Sequence, residues 1–253
     1  MKRFFKLLGP IIAISVVAVL AAGCCCPISL PTSGNAQKLA DDAAKRVEAT
    51  NKAMQEAEIP GLETLATGET DLIKNGDFSD GLTGWTTRTQ PGSKVAGNNS
   101  VDLKGSSAKY LEFKRVNGGT DGGGAFASQN INKDVSGYTS LLVKLGVNVI
   151  SEEGGNIANT NPQWFPEGAC QVRVFYVAAD GTSKEWYHGF YSENVSGADA
   201  SHFDRVTAGT WTQNTSVNLM ASVPAPKTIT KIEIYGFGWN FDGYLTAVQM
   251  IAN

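Results

Sequence analysis

The sequence predicts an antiparallel, all-β sandwich behind a secretory leader and one short amphipathic helix. Three observations lead there. A basic patch precedes an apolar run at the N-terminus, a stretch free of Gly and Pro follows, and from residue 70 onward short alternating segments are separated by Gly, Asn, Asp and Ser clusters.

The leader comes first. Lys2, Arg3 and Lys6 precede a largely apolar run over 7–20, and Ala21-Ala22-Gly23 places small residues directly before Cys24. The run is shorter than the roughly 20 residues a spanning helix requires, and Gly9-Pro10 interrupts it. Residues 1–23 therefore read as a cleaved signal peptide. Its end resembles bacterial lipoprotein signals, and that resemblance implies lipidation of Cys24. Acyl chains contribute about 0.8 kcal/mol per buried methylene, so two or three hold a domain on a membrane. Cys25 follows, where an aspartate would resemble an inner-membrane retention signal. The expected location is the cell envelope, in the outer membrane if the host has two.

Losing the leader's three basic residues leaves 18 Lys and Arg against 24 Asp and Glu, a net charge of −6. That excludes the basic footprint of a nucleic-acid binder. Three of the four cysteines are Cys24, Cys25 and Cys26, so Cys170 has no partner for a disulfide within the folded domain and reads as a small buried hydrophobe.

Residues 24–35, with Pro27 and Pro31, form an extended spacer. Residues 36–59 follow as a helix rich in Ala, Lys, Glu and Gln, ended by Pro60-Gly61. Its stripe of Leu39, Ala43, Val47, Thr50, Met54 and Ala57 is too narrow to build a core. It docks on the β-domain, acts as a spacer, or pairs with a second copy.

Strands are expected over 71–74, 109–116, 124–130, 140–150, 169–178, 184–191, 215–220, 227–235 and 244–251, with a hairpin turn at Asp180-Gly181. Residues 70–253 are enough for one core. The segment from Asn75 to Trp85 carries two large apolar anchors, Phe78 and Trp85, among the turn-forming Gly76, Gly81 and Gly84.

That segment resembles the opening of carbohydrate-binding modules of the galactose-binding-like jelly-roll type. The likeness continues through Phe126-Ala127-Ser128-Gln129-Asn130-Ile131, the hairpin around Asp180, Thr210-Trp211-Thr212 and Gly238-Trp239-Asn240-Phe241-Asp242-Gly243-Tyr244. It implies a jelly-roll sandwich and a carbohydrate or polysaccharide ligand. Many such modules also hold calcium through an acid after the opening Phe and another in the last strand. Here Ser79 and Thr246 stand at those places, so no metal or other cofactor is expected, although Asp77, Asp80 and carbonyls leave a different calcium site open.

A sugar site needs aromatic faces beside hydrogen-bonding groups. Alternation in 184–191 places Trp186, His188 and Phe190 on one side and Tyr187 and Tyr191 on the other, and Trp186 with His188 is the more ligand-like set. Trp164, in a loop between Pro162 and Pro166, either meets ligand or plugs the sandwich. Arg173 faces away from Val172 and Val174, toward a ligand or a salt bridge. Trp239 and Asn240 stand at a strand end near a turn, where loops cluster. Phe78, Trp85 and Trp211 read as core.

Catalysis is not expected. There are only two histidines, His188 and His202, no nucleophile turn, and no helix after Gly122-Gly123-Gly124 to bind phosphate. The leading expectation is a lipid-anchored, non-catalytic carbohydrate binder. The alternative is a structural or adaptor lipoprotein that contacts a protein partner or self-assembles through its helix.

Overall fold

The computed structural model describes residues 59–159 and 166–253, together with Lys38 and Lys45. The leader, Cys24 and the spacer lie outside the described residues. So does the helix expected over 36–59, apart from Lys38 and Lys45, both helical, and Ile59, which is not. The chain divides into two compact units, Met1–Thr50 and Asn51–Asn253, and every strand belongs to the second.

That unit is a jelly-roll β-sandwich, with twelve strands among the described residues: β1 (Thr70–Asp71), β2 (Thr86–Gln90), β3 (Asn98–Lys104), β4 (Tyr110–Val116), β5 (Gly123–Asp134), β6 (Leu141–Glu153), β7 (Gly168–Ala178), β8 (Ser183–Tyr191), β9 (Phe203–Arg205), β10 (Thr212–Thr215), β11 (Pro226–Gly238) and β12 (Asn240–Ala252). Sheet I has the order β10-β6-β12-β4-β3, with β1 also on β12, and sheet II the order β2-β5-β11-β7-β8-β9. Only β8 and β9 pair in parallel among the described strands. Trp239 is the single residue between β11 and β12, so the chain changes sheets there.

Alternation fills the space between the sheets. Val143, Leu145, Val147 and Val149 of β6 meet Cys170, Val172 and Val174 of β7 and Ile232 and Ile234 of β11 in one core. Burial pushes the Cys170 thiol far up, which leaves it inert as expected of a core cysteine.

The opening segment is built by Asn75. Its Nδ2 donates to the carbonyls of Gly81 and Thr83, its Oδ1 accepts from Asp80 N, and its own carbonyl accepts from Trp85 Nε1. The turn delivers Phe78 and Trp85 into the core with ring centroids 5.4 Å apart. Gly76 is required by proximity: a Cβ there would stand 1.8 Å from the Val248 carbonyl oxygen.

The segment expected as a strand over 215–220 is different. β10 ends at Thr215, and Leu219–Ala221 is a 3-10 turn capped by Asn218. Side chains take over the ladder there: Ser216 Oγ accepts from Val143 N, and Asn218 Oδ1 from Leu141 N. β2, β3 and β9 were not expected. They are largely exposed, so they carry no apolar alternation to read.

Trp211 corrects a second expectation. It packs on Tyr110 and Tyr244 on the outside of sheet I, not in the core.

Arg115 takes an inward position with Leu111 and Phe113, and it is fully buried. All five of its N–H groups are used. Nε donates to Trp239 O, Nη1 to Ala96 O and Asn99 Oδ1, and Nη2 to Val95 O and Asp121 O. One cation thus ties the β2–β3 loop, the β4–β5 loop and the sheet crossover together.

Candidate functional site

The outer face of sheet II carries two rows of side chains running across the strands. One consists of Arg88, Phe126, Tyr235, Gln171, Gly189 and Phe203 in register. The next consists of Thr86, Ser128, Glu233, Arg173 and Tyr187. Phe126, Tyr235 and Phe237 form a cluster separate from the core. Phe126 and Tyr235 stack at 5.3 Å, with the Arg88 guanidinium 3.6 Å above Phe126 and that of Arg173 4.9 Å from the Tyr235 ring centre.

This face is electrostatically closed. Glu233 is buried and pairs with Arg88 at 3.2 Å and Lys231 at 3.5 Å, while Arg173 pairs with the more exposed Glu185 at 3.6 Å. Tyr235 Oη donates to Gln171 Oε1, and Gln171 Nε2 donates to the carbonyls of Pro166 and Gly168. Burial is the main cause that pushes the Tyr235 phenol up to about 12, so it stays a donor at any ordinary pH. Half-buried Tyr187 stacks on His202 at 4.5 Å, and half-buried Phe175 lies 4.1 Å from the Lys231 ammonium. Arg88 also borders a cleft of about 390 Å³ lined by Thr87, Thr89, Ser100 and Val101, where the edge strands β2 and β3 face each other.

The sequence-predicted residues fall in three places. Arg173 lies on the outer face of sheet II. Trp186 and His188 pair with Val174 and Val172 and so point to the core side, where Trp186 packs against the core and stacks on His188. His188 Nε2 lies 3.1 Å from Asp204 Oδ2, which also accepts from Asn214 Nδ2 of β10. This group therefore stands at the lateral mouth between the sheets. Trp239 and Asn240 occupy the crossover: the Trp239 carbonyl binds Arg115, Asn240 Oδ1 accepts from Gly118 N, and its Nδ2 donates to Glu153. Trp164 lies outside the described residues.

Sequence reading missed Arg88, Phe126, Glu233 and Tyr235. The signal was present in β11, where Ile232 and Ile234 alternate with Glu233 and Tyr235, so the aromatic had to face outward.

Ser201, His202 and Asp199 meet, but not as a relay. Ser201 Oγ and Asp199 Oδ2 both approach the same nitrogen, His202 Nδ1, at 2.9 and 3.0 Å, so no base stands between nucleophile and carboxylate. Buried Glu152 accepts from Ser192 N and Glu193 N, and Glu167 accepts from Asn156 N; both clamp loops, and burial raises both carboxyls. Among the described residues no group of three or more His, Cys, Asp or Glu forms a metal site. Ser79 Oγ donates to Asp77, and Thr246 Oγ1 to the Lys109 carbonyl.

No protein-family model matches the chain, and no curated protein matches it. In fold it is similar to carbohydrate-binding modules of the β-sandwich type. One is the family 11 module of the cellulosomal cellulase Lic26A-Cel5E of Clostridium thermocellum, at 11% identity over 75% of this chain and 97% of that one, with a TM-score of 0.43. TmCBM61, solved with β-1,4-galactotriose, matches at 11% identity over 73% and 99%, with a TM-score of 0.39. A cyclase from Fischerella sp. TAU matches at 14% over 74% and 98%, with a TM-score of 0.36. The likeness concerns the fold alone.

Proposed function

We propose that the protein is a lipid-anchored, non-catalytic carbohydrate-binding protein of the cell envelope. One observation carries the ligand class. The outer face of sheet II combines aromatic rings with guanidinium, carboxylate and ammonium groups in rows that cross the strands. Neighbouring strands lie about 4.8 Å apart, so a polymer laid across them meets a new polar group at each step. Arg173, Glu185 and Lys231 offer hydrogen bonds to hydroxyls, while Tyr187 and Phe175 offer rings to C–H faces. The fixed ion pairs hold these groups in place before ligand arrives, which lowers the ordering cost of binding.

Anchoring is supported by the leader and by Cys24 at its end. A weak single module gains from many copies on one membrane surface. The non-catalytic reading is supported by the Ser201–His202–Asp199 arrangement, which lacks a relay, and by the structural roles of Glu152 and Glu167.

The test is an array of plant, algal, bacterial and animal glycans probed with a soluble form beginning at Ser33. Signal on one glycan class, lost in Arg173→Ala, supports the reading; no signal on any class overturns it. Cys24→Ser should move the protein from the membrane to the soluble fraction, and continued membrane retention would remove the anchor from the account.

A further inference from the structure

The outer face of sheet I holds the two buried side-chain oxygens that have no hydrogen-bond partner among the described residues, Asn148 Oδ1 and Asp242 Oδ1. Their side chains belong to residues 4% and 9% exposed. Both flank Tyr244: Asn148 is its cross-strand partner on β6, and Asp242 precedes it by two residues on the same face of β12. Proteins seldom leave such atoms unpaired, and two around one residue indicate a missing donor.

The surroundings describe that donor. Tyr244, Tyr110 and Trp211 are half-buried and in mutual contact, with centroids 4.9 Å apart for the tyrosine pair and 5.5 and 6.3 Å from Trp211 to Tyr110 and Tyr244. The carboxylates are already matched. Lys114 lies 2.6 Å from the second Asp242 oxygen and 3.7 Å from Glu112, and Lys104 lies 3.1 Å from Glu112. Two acids facing two ammonium groups leave no excess charge to attract a cation. A neutral hydroxyl group supplies a donor without upsetting that balance, and a ring carrying it can lie on the aromatics. Lys114 is the movable cover: its side chain is 39% exposed, and it can rest on Glu112 alone when Asp242 takes a new partner.

We propose that this face is a second saccharide site, which takes a single pyranose ring over Tyr110, Tyr244 and Trp211 and receives its hydroxyl donors at Asn148 and Asp242. The proposal rests on the carbohydrate reading of sheet II and adds a site on the opposite face of the sandwich. Two sites facing apart let one molecule bridge two glycan chains.

Calorimetric titration of the full chain in detergent with soluble β-1,4-linked glucose, xylose, mannose and galactose hexasaccharides tests it. The expected result is two sites per chain for at least one sugar. Asn148→Leu and Trp211→Ala should each weaken one site at least tenfold and leave the other, with Arg173→Ala doing the converse. Trp211→Phe should recover most of the loss, and if Trp211→Ala does not fold, Asn148→Leu decides. One site per chain, insensitive to Asn148→Leu but lost in Arg173→Ala, overturns this proposal alone. No heat with any sugar overturns both readings.

Discussion

The two outer faces of the sandwich use the same materials and finish them differently. On sheet II every buried polar side-chain atom among the described residues has a partner: Glu233 has two cations, and Gln171 takes the Tyr235 hydroxyl while donating to two carbonyls. On sheet I the aromatics Tyr110, Tyr244 and Trp211 sit beside Asn148 and Asp242, each with one oxygen unpaired. A saturated face is rigid and presents a fixed pattern. An unsaturated one bears a desolvation cost that a ligand can relieve. In the reading proposed above, sheet II offers a ligand groups already held in place by their ion pairs, and sheet I offers two acceptors still to be filled.

The largest effect should come from the most saturated group. Arg115→Met leaves four carbonyls and Asn99 Oδ1 without their donor, and it should cost more than about 3 kcal/mol in urea unfolding. Gln171→Leu takes the acceptor from the Tyr235 hydroxyl, which keeps its bond from Arg173, and the Nε2 donor from the Pro166 and Gly168 carbonyls, at about 2–3 kcal/mol, whereas Tyr235→Phe should cost only about 1 kcal/mol. On sheet I the sign reverses. Asn148→Leu removes an unpaired acceptor and should leave stability unchanged or raise it by up to about 1 kcal/mol. A cost above that would show Asn148 to be a structural member of its face and erase the contrast.

The smallest effect is in pH dependence. Burial raises Glu152, Glu167 and Asp242 above their usual carboxylate values, so their ionisation opposes folding. The stability they confer is full below the unfolded value and is lost as pH rises through the folded one. Asp121, Asp134 and Asp180 are lowered, each by hydrogen bonds to its carboxylate, and their contribution disappears as pH falls below the ordinary aspartate value. The thermal midpoint should therefore rise on mild acidification from neutral pH and fall again in strong acid. A monotonic fall would assign no role to the buried carboxyls.

The fold was legible where alternation was strong. β6, β7 and the stretch of β11 around Ile232 and Ile234 declare themselves by apolar residues at alternate positions, and Asn75 to Trp85 marks the entry to the sandwich. β2 and β3 were not legible, because edge strands that bury little show no period. The site was legible only in part. Arg173 was placed outward by its valine neighbours, as found. Trp186 and His188 read as the more ligand-like set of β8, yet they point to the core side, since alternation tells which residues share a side and not which side is the core. Arg115 shows the reverse case: its alternation with Leu111 and Phe113 put a cation in the interior, and only the five acceptors that tertiary structure brings together explain it.

The most direct test of carbohydrate binding through sheet II is retention on the glycan array by wild type and by the double variant Arg173→Ala/Tyr187→Ala, with thermal midpoints measured alongside. The account predicts retention on one glycan class for wild type and its loss in the variant at a midpoint shifted by no more than a few degrees. Equal retention by both proteins, or none by either, would contradict it.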